Sequence, residues 1–286
     1  MRVVAVIGIR NEIAYLANLL QHLIDNGVDY AIIDNDSSDG SAELANSLRF
    51  KGNLVAYERL PYEGFYDWEA ILKAKERLYR QVDADWLIHH DADEIMHSYQ
   101  PRETISEAIS RISTSGANVV NFDEFVFVPI DHSYQPECGG QQRLKYYYFF
   151  ESRPLRLMRA WHASLSVSNV DTGGHKLSGH DIVVSEESMA LRHYMFKNQQ
   201  HAYTKYNTRT YSKKELARGW HGNRVGFSEL NYTFPQASLF QCLVDPSDRN
   251  LNRQSPKRHH YWDWNRQPSP VWKRAASALL QRFSLK

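Results

Sequence analysis

Cysteine is nearly absent from this chain, with two residues in 286, Cys138 and Cys242. That supports neither a disulfide framework nor a cysteine-built metal cluster, and it suits a reducing cytosol. An excess of either charge is also missing: 34 Lys and Arg face 33 Asp and Glu, for a net charge of +1. Nucleic acid is therefore not the expected partner, because nothing attracts a polyanion in bulk and no zinc-finger or RNA-recognition signature occurs. No apolar run approaches the roughly 18 residues that a spanning helix needs. The opening Met1-Arg2-Val3-Val4-Ala5-Val6-Ile7-Gly8 is too short an apolar run for a targeting segment and has strand composition. Repeats and low-complexity linkers are lacking too. The length suffices for one large domain with or without an extension.

What is present begins as a regular alternation. Val3 to Ile7 is a β-branched run of the kind buried on both faces of a sheet. Ile13, Leu16, Leu19, Leu20, Leu23 and Ile24 then recur at helical spacing, closed by Asn26-Gly27. Tyr30 to Ile33 reads as a second strand, 41–49 as a short helix and Leu54 to Tyr57 as a third strand. Trp68, Ile71, Leu72 and Leu78 mark another helix, which feeds the strand Trp86-Leu87-Ile88-His89-His90. Strand and helix in succession predict a doubly wound, mostly parallel α/β sheet over residues 1–95.

Residues 96–245 are less regular. A helix is expected over 105–112, and strands over 118–122, 124–128, 146–150 and 190–194, followed by a polar helix around Gln199 to Lys205. Beyond 245 the composition turns basic: nine Lys and Arg from Arg249 to Lys286 face only Asp263. Within that stretch Trp272, Ala275, Ala276, Leu279, Leu280 and Phe283 share one helical face. Such a helix either packs on the domain or meets an anionic membrane surface. The division expected is 1–245 for the main domain and 246–286 for a basic extension carrying that helix. A cytoplasmic protein, with peripheral contact at the inner face of the membrane through that helix, is the corresponding expectation.

The chemistry concentrates where strands end. Trp86 to His90 empties into Asp91-Ala92-Asp93-Glu94, which can deliver two carboxylates to one point beyond the sheet edge. Hard oxygen ligands placed there suit Mg²⁺ or Mn²⁺ carrying phosphate oxygens. Arg10-Asn11-Glu12 follows the first strand, and Asp34-Asn35-Asp36-Ser37-Ser38-Asp39-Gly40-Ser41 follows the second. Each acid also has a plain structural reading, because Asp, Ser and Gly build turns and helix caps.

Taken together and in order, these three segments resemble the nucleotide-binding half of the GT-A glycosyltransferases, especially family 2 and related bacterial groups, over residues 3–95. The resemblance implies a GT-A fold with an irregular acceptor half and a C-terminal helical extension. It also implies transfer of a sugar from a nucleoside diphosphate donor to a glycan or lipid-linked acceptor, with inversion, assisted by Mn²⁺ or Mg²⁺. Arg10, Asn11, Glu12, Asp34 and Asp91 would contact the nucleotide sugar, and Asp91 and Asp93 the metal. From Leu191-Arg192-His193-Tyr194 and the helix after it, His193 would add a metal ligand and Lys205 would neutralise phosphate. Two departures stand out. His89 and His90 occupy positions where the family has apolar residues, one expected to face the sheet and one the site, and Glu94 extends the acid cluster, most simply as the start of a helix.

Inversion needs a carboxylate that takes the acceptor's proton. In the family that acid follows a Gly-Gly pair. In Asp171-Thr172-Gly173-Gly174-His175-Lys176-Leu177-Ser178-Gly179-His180-Asp181, Asp181 is the nearest match, with Asp171, Asp123 and Glu124 as alternatives. Aromatic residues at 146–150 and at 261–264 offer faces on which sugars stack, or else core packing. Two rival readings remain at this level. One is a nucleotidyltransferase, for which Gly8 to Glu12 is a poor phosphate loop. The other is a carbohydrate-binding protein that keeps the fold without catalysis.

Overall fold

The computed structural model describes residues 1–130, 144–207, 209–221 and 236–264. Its first half alternates as the sequence predicts: β1 (Val3–Ile9), α1 (Ile13–Asp25), β2 (Val28–Asp34), α2 (Ser41–Ala45), β3 (Leu54–Arg59), α3 (Trp68–Tyr79) and β4 (Trp86–Asp91). Next come β5 (Glu94–His97), α4 (Ile105–Ser113), β6 (Val119–Phe127), β7 (Tyr146–Phe150) and β8 (Met158–His162). The small hairpin β9 (Val167–Ser168) and β10 (Ser178–Gly179) precedes β11 (Met189–His193), α5 (Gln199–Asn207), α6 (Lys213–Ala217) and β12 (Gln241–Cys242).

One mixed sheet runs in the order β12, β7, β6, β8, β4, β1, β2, β3. β3, β2, β1 and β4 are parallel, while β8 lies antiparallel between β4 and β6. The two strands expected at 118–122 and 124–128 are one. β6 spans both, pairing through its first residues with β8 and through the rest with β7 and β11. β11 also pairs antiparallel with β5. Glu94 therefore opens a strand, not the helix expected from its sequence, because β11 offers Glu94 to His97 a partner that no local pattern reveals.

Helices cover both faces of the parallel half. Leu16, Leu19, Leu20 and Leu23 of α1 pack with Ile105, Ile109 and Ile112 of α4 on one face. Ala74 and Leu78 of α3 pack on the other, against Val4, Val6, Ala31 and Ile33. Thr104 caps α4 through a reciprocal capping box with Glu107. The aromatic run of β7 is core, with Tyr147, Tyr148, Phe149 and Phe150 all buried. Tyr261, Trp262 and Trp264 pack in the same cluster as Tyr148 and Phe150.

Residues 246–264 do not stand apart. Leu251 and Tyr261 are buried in the aromatic clusters, Arg192 donates to the carbonyls of Pro246 and Asp248, and Lys257 pairs through its backbone with Phe149 and Glu151. The amphipathic helix expected at 272–283 lies outside the described residues. No helix among the described residues is long and apolar enough to cross a membrane.

Candidate active site

Parallel register brings the three acidic strand ends together. Ile9 sits opposite Asp34 on one side of β1, and Gly8 opposite Asp91 on the other. The β1 and β4 tips open onto a cavity of about 350 Å³ whose walls include Glu12, Asp91, Asp93, Glu94, Glu124, His193, Lys205 and Arg209.

The tips of β1 and β2 are locked to each other. Asn11, with φ of 56°, accepts from the backbone N–H of Ser38 at 2.8 Å, and its own N–H donates to Ser37 Oγ at 3.0 Å. Asp39 caps α1 by accepting from Ile13 N at 3.0 Å. Arg10 donates to the carbonyls of Asn35 and Asp36 at 2.5 and 2.9 Å and lies 3.3 Å over the Tyr62 ring. Asp34 accepts from Ser37 N at 2.9 Å and from Tyr57 O–H at 2.6 Å, and it is buried. Arg10, Asn11 and Asp34 thus build the loop beside the cavity, and of this group only Glu12 lines it.

Under β4 lies a buried polar layer. Lys75 of α3, wholly buried, donates to the His90 carbonyl at 2.7 Å and to Asp91 Oδ1 at 3.2 Å. Arg159 of β8 reaches Asp91 Oδ2 at 3.2 Å, Glu94 Oε1 at 2.8 Å and the Gly174 carbonyl at 3.2 Å. His89 is on this side, among Lys75, Tyr79 and Asn169. His90 is turned to the other face, where burial pushes its pKa down to about 3. The alternation of a strand explains the split. Burial opposes ionisation of Asp91, but the attraction of Lys75 and Arg159 outweighs it and holds the carboxyl well below the usual range. For Glu94 burial wins, aided by Asp91 and Asp93, and its pKa rises to about 7 despite Arg159.

A second chain of ion pairs crosses the cavity. Lys205 Nζ of α5 meets Asp93 Oδ2 at 2.6 Å and lies 4.0 Å from Glu12, which Arg209 approaches to 3.3 Å. His193 Nε2 is 3.6 Å from Asp93, while its Nδ1 is 2.6 Å from Glu124 Oε1. Arg156 holds the other Glu124 oxygen at 2.7 Å. Burial disfavours charge on His193, yet the two flanking carboxylates raise its pKa well above the ordinary value. Burial also opposes the charge on Glu124, and Arg156 and His193 overcome it to hold this acid well below the usual range.

The expected divalent cation does not find a ligand set here. Asp93 and His193 adjoin, but Asp91 is turned to Lys75 and Arg159, and the Asp93 oxygen nearest His193 already accepts from Lys205. No group of three His, Cys, Asp or Glu among the described residues is placed to hold a metal ion.

Of the four acids considered for proton removal, only Glu124 lines the cavity. Asp181 lies away from the cavity: its carbonyl accepts from Asn118 just before β6, whose first residue pairs with Trp161, the partner of Leu87, at the opposite end of β4 from Asp91. Asp171 is exposed beside the cavity without lining it. Asp123 points to the other face of β6, toward Tyr99 and Arg253. Sequence reasoning passed over Lys75, Arg159 and Arg209. Lys75 carries a faint signal, a lysine on the apolar face of a helix, since Leu72 precedes it by three and Tyr79 follows by four.

No family model and no curated protein matches the chain. Among solved structures it is similar to S. aureus TarS 1–349 in complex with UDP-GlcNAc, at 12% identity and a TM-score of 0.46 over 84% of this chain and 69% of that one. TarS 1–349 alone gives 12% and 0.43 over 73% and 63%, so this chain spans a little under two thirds of that structure. The mannosyltransferase PcManGT from Pyrobaculum calidifontis, in complex with GDP-Man and Mn²⁺, gives 12% and 0.40 over 83% and 73%. Likenesses this faint leave the function to the cavity's own residues.

Proposed function

We propose that the chain is a glycosyltransferase that moves a sugar from a nucleoside diphosphate donor to a hydroxyl of a glycan or lipid-linked acceptor. One observation carries the reading: the strand-end carboxylates Asp91 and Asp93, the cations Arg159, Lys205 and Arg209, and the Glu124–His193 pair all line one cavity. Phosphoryl-bearing leaving groups are stabilised by prearranged cations in a site that excludes water. Lys205 and Arg209 lie on the Glu12 flank, and Glu124 and Arg156 border the same cavity. A sugar held between the two groups would have its diphosphate toward the first and its acceptor hydroxyl toward the second. Glu124 then takes the proton of the acceptor, the role that inversion requires. Arg156 and His193 hold its two oxygens and set its direction.

Release of free nucleotide from a panel of UDP- and GDP-sugars, with and without oligosaccharide acceptors, tests the proposal. Acceptor-dependent release that falls by about a hundredfold or more in Glu124→Gln supports it. A panel giving no release, or a preference for nucleoside triphosphate with pyrophosphate as product, overturns it.

A further inference from the structure

Among the described residues five carboxylates line the cavity, Glu12, Asp91, Asp93, Glu94 and Glu124, and each is paired with a lysine or arginine. The cations divide into two kinds. Lys75 and Arg159 are already committed: the first is wholly buried beside Asp91, and the second, in the cavity wall, spans two acids and a backbone carbonyl. Arg156 is tied to Glu124 and lies 4.9 Å over the Phe150 ring. Lys205 and Arg209 belong to α5 and the residues just after it, and they reach across the cavity to Asp93 and Glu12 on the strand tips. Arg209 is steadied by the Tyr66 ring at 4.6 Å. Both line the cavity together with Gly8 of β1 and Asp91 of β4, where these strand ends would receive a diphosphate.

We propose that Lys205 and Arg209 supply the counter-charge to the donor's diphosphate, so that the nucleotide binds this chain without a divalent cation. The inference rests on the nucleotide-sugar reading above. Its physical basis is occupancy. A metal ion at Asp93 would have to share a carboxylate whose Oδ2 already holds an ammonium at 2.6 Å, and would meet that positive charge at close range. It would also have to recruit Asp91 away from two buried cations. A diphosphate needs neither change, because its oxygens can join the ammonium and guanidinium from the open side. An arginine fork matches phosphate oxygens two at a time, and lysine acts as a point charge. Asp93 and Glu12 are on this view holders that keep the two cations aligned while the cavity is empty of nucleotide, which lowers the ordering cost of binding.

Calorimetry of the full chain with UDP and GDP, in EDTA and again in Mn²⁺, tests the inference. The better nucleotide is expected to bind in EDTA with a Kd within about threefold of that in Mn²⁺. Lys205→Met and Arg209→Gln each weaken binding in EDTA by about tenfold or more, the scale of one lost charge-assisted contact, while Lys205→Arg retains it. Asp93→Asn keeps binding in EDTA, weakened by no more than about threefold through the lost alignment of Lys205, whereas a metal-ligand role predicts loss of binding in Mn²⁺. Thermal melts of each variant establish that it is folded. Binding seen only with Mn²⁺ and lost in Asp93→Asn overturns this inference and leaves the glycosyltransferase reading standing. Failure of both nucleotides under both conditions overturns that reading as well.

Discussion

Glu94 Oε1 and Arg159 Nη2 meet at 2.8 Å and join the first residue of β5 to the second residue of β8 in the wall of the cavity. The same guanidinium reaches Asp91, so one arginine sets the spacing of two acids three residues apart. Each partner is almost wholly buried, and a buried charge stripped of its partner costs about 3–5 kcal/mol. Arg159→Met is expected to destabilise the fold on that scale, read as a lowered midpoint in urea. A change within about 0.5 kcal/mol, the surface-substitution range, would show that the pair does not organise the wall.

Stability should also depend on pH through Glu94. Its pKa is raised to about 7 in the fold, against an ordinary 4.5, so the folded chain holds this proton more tightly than the unfolded one. Stability from this group is complete below pH 4.5 and declines as pH rises toward 7, by at most about 1.4 kcal/mol per pH unit. Glu94→Gln cannot lose the proton and should flatten that part of the profile. Urea midpoints of both proteins between pH 4.5 and 7.5 provide the measurement, and parallel profiles would refute it.

Two glycines test how closely the layers approach. A Cβ on Gly8 would lie 2.8 Å from Ile71 and 3.3 Å from Lys75, and one on Gly174 would lie 2.9 Å from the His89 ring with φ at +86°. Gly8→Ala is expected to cost about 1–3 kcal/mol by overpacking. Gly174→Ala should cost more, because a strained backbone adds to the clash. Thermal melts rank the two, and equal midpoints would contradict the ordering.

Thr104 offers a contrast far from the cavity. Thr104→Ala removes one half of the capping box on α4 and should cost about 1 kcal/mol, with nucleotide affinity unchanged. A loss of affinity would mean that α4 is coupled to the cavity.

If Glu124 takes the acceptor's proton, Glu124→Gln should lower kcat by about 10²–10⁴-fold with little change in donor KM. Loss of donor affinity with kcat retained would instead place Glu124 on the nucleotide side.

The first half of the fold was legible because each strand and helix of β1 to β4 has its own period and its own turn. Long-range pairing was not legible. β8 is a short, mixed stretch between β4 and β6, and β5 exists because β11 lies beside it. The site followed the same division. Asp91, Asp93, His193 and Lys205 do line one cavity, as their strand-end and helix positions suggest. Asp34, Asn11 and Arg10 carry the same motif logic, but their polar atoms are used in tying two loops together. Asp181 misled for another reason: its distance in sequence from the paired glycines is short, while the β9–β10 hairpin carries it to the far end of the sheet.

That hairpin gives the molecule a handle. Ser178 and Gly179 are exposed, and His180 and Asp181 after them are exposed too, a sheet's length away from Asp93 and Lys205. A cysteine introduced at His180, with Cys138 and the exposed Cys242 replaced by serine, would carry a dye or a surface tether and leave the cavity mouth unobstructed, so candidate ligands could be delivered in turn to immobilised protein.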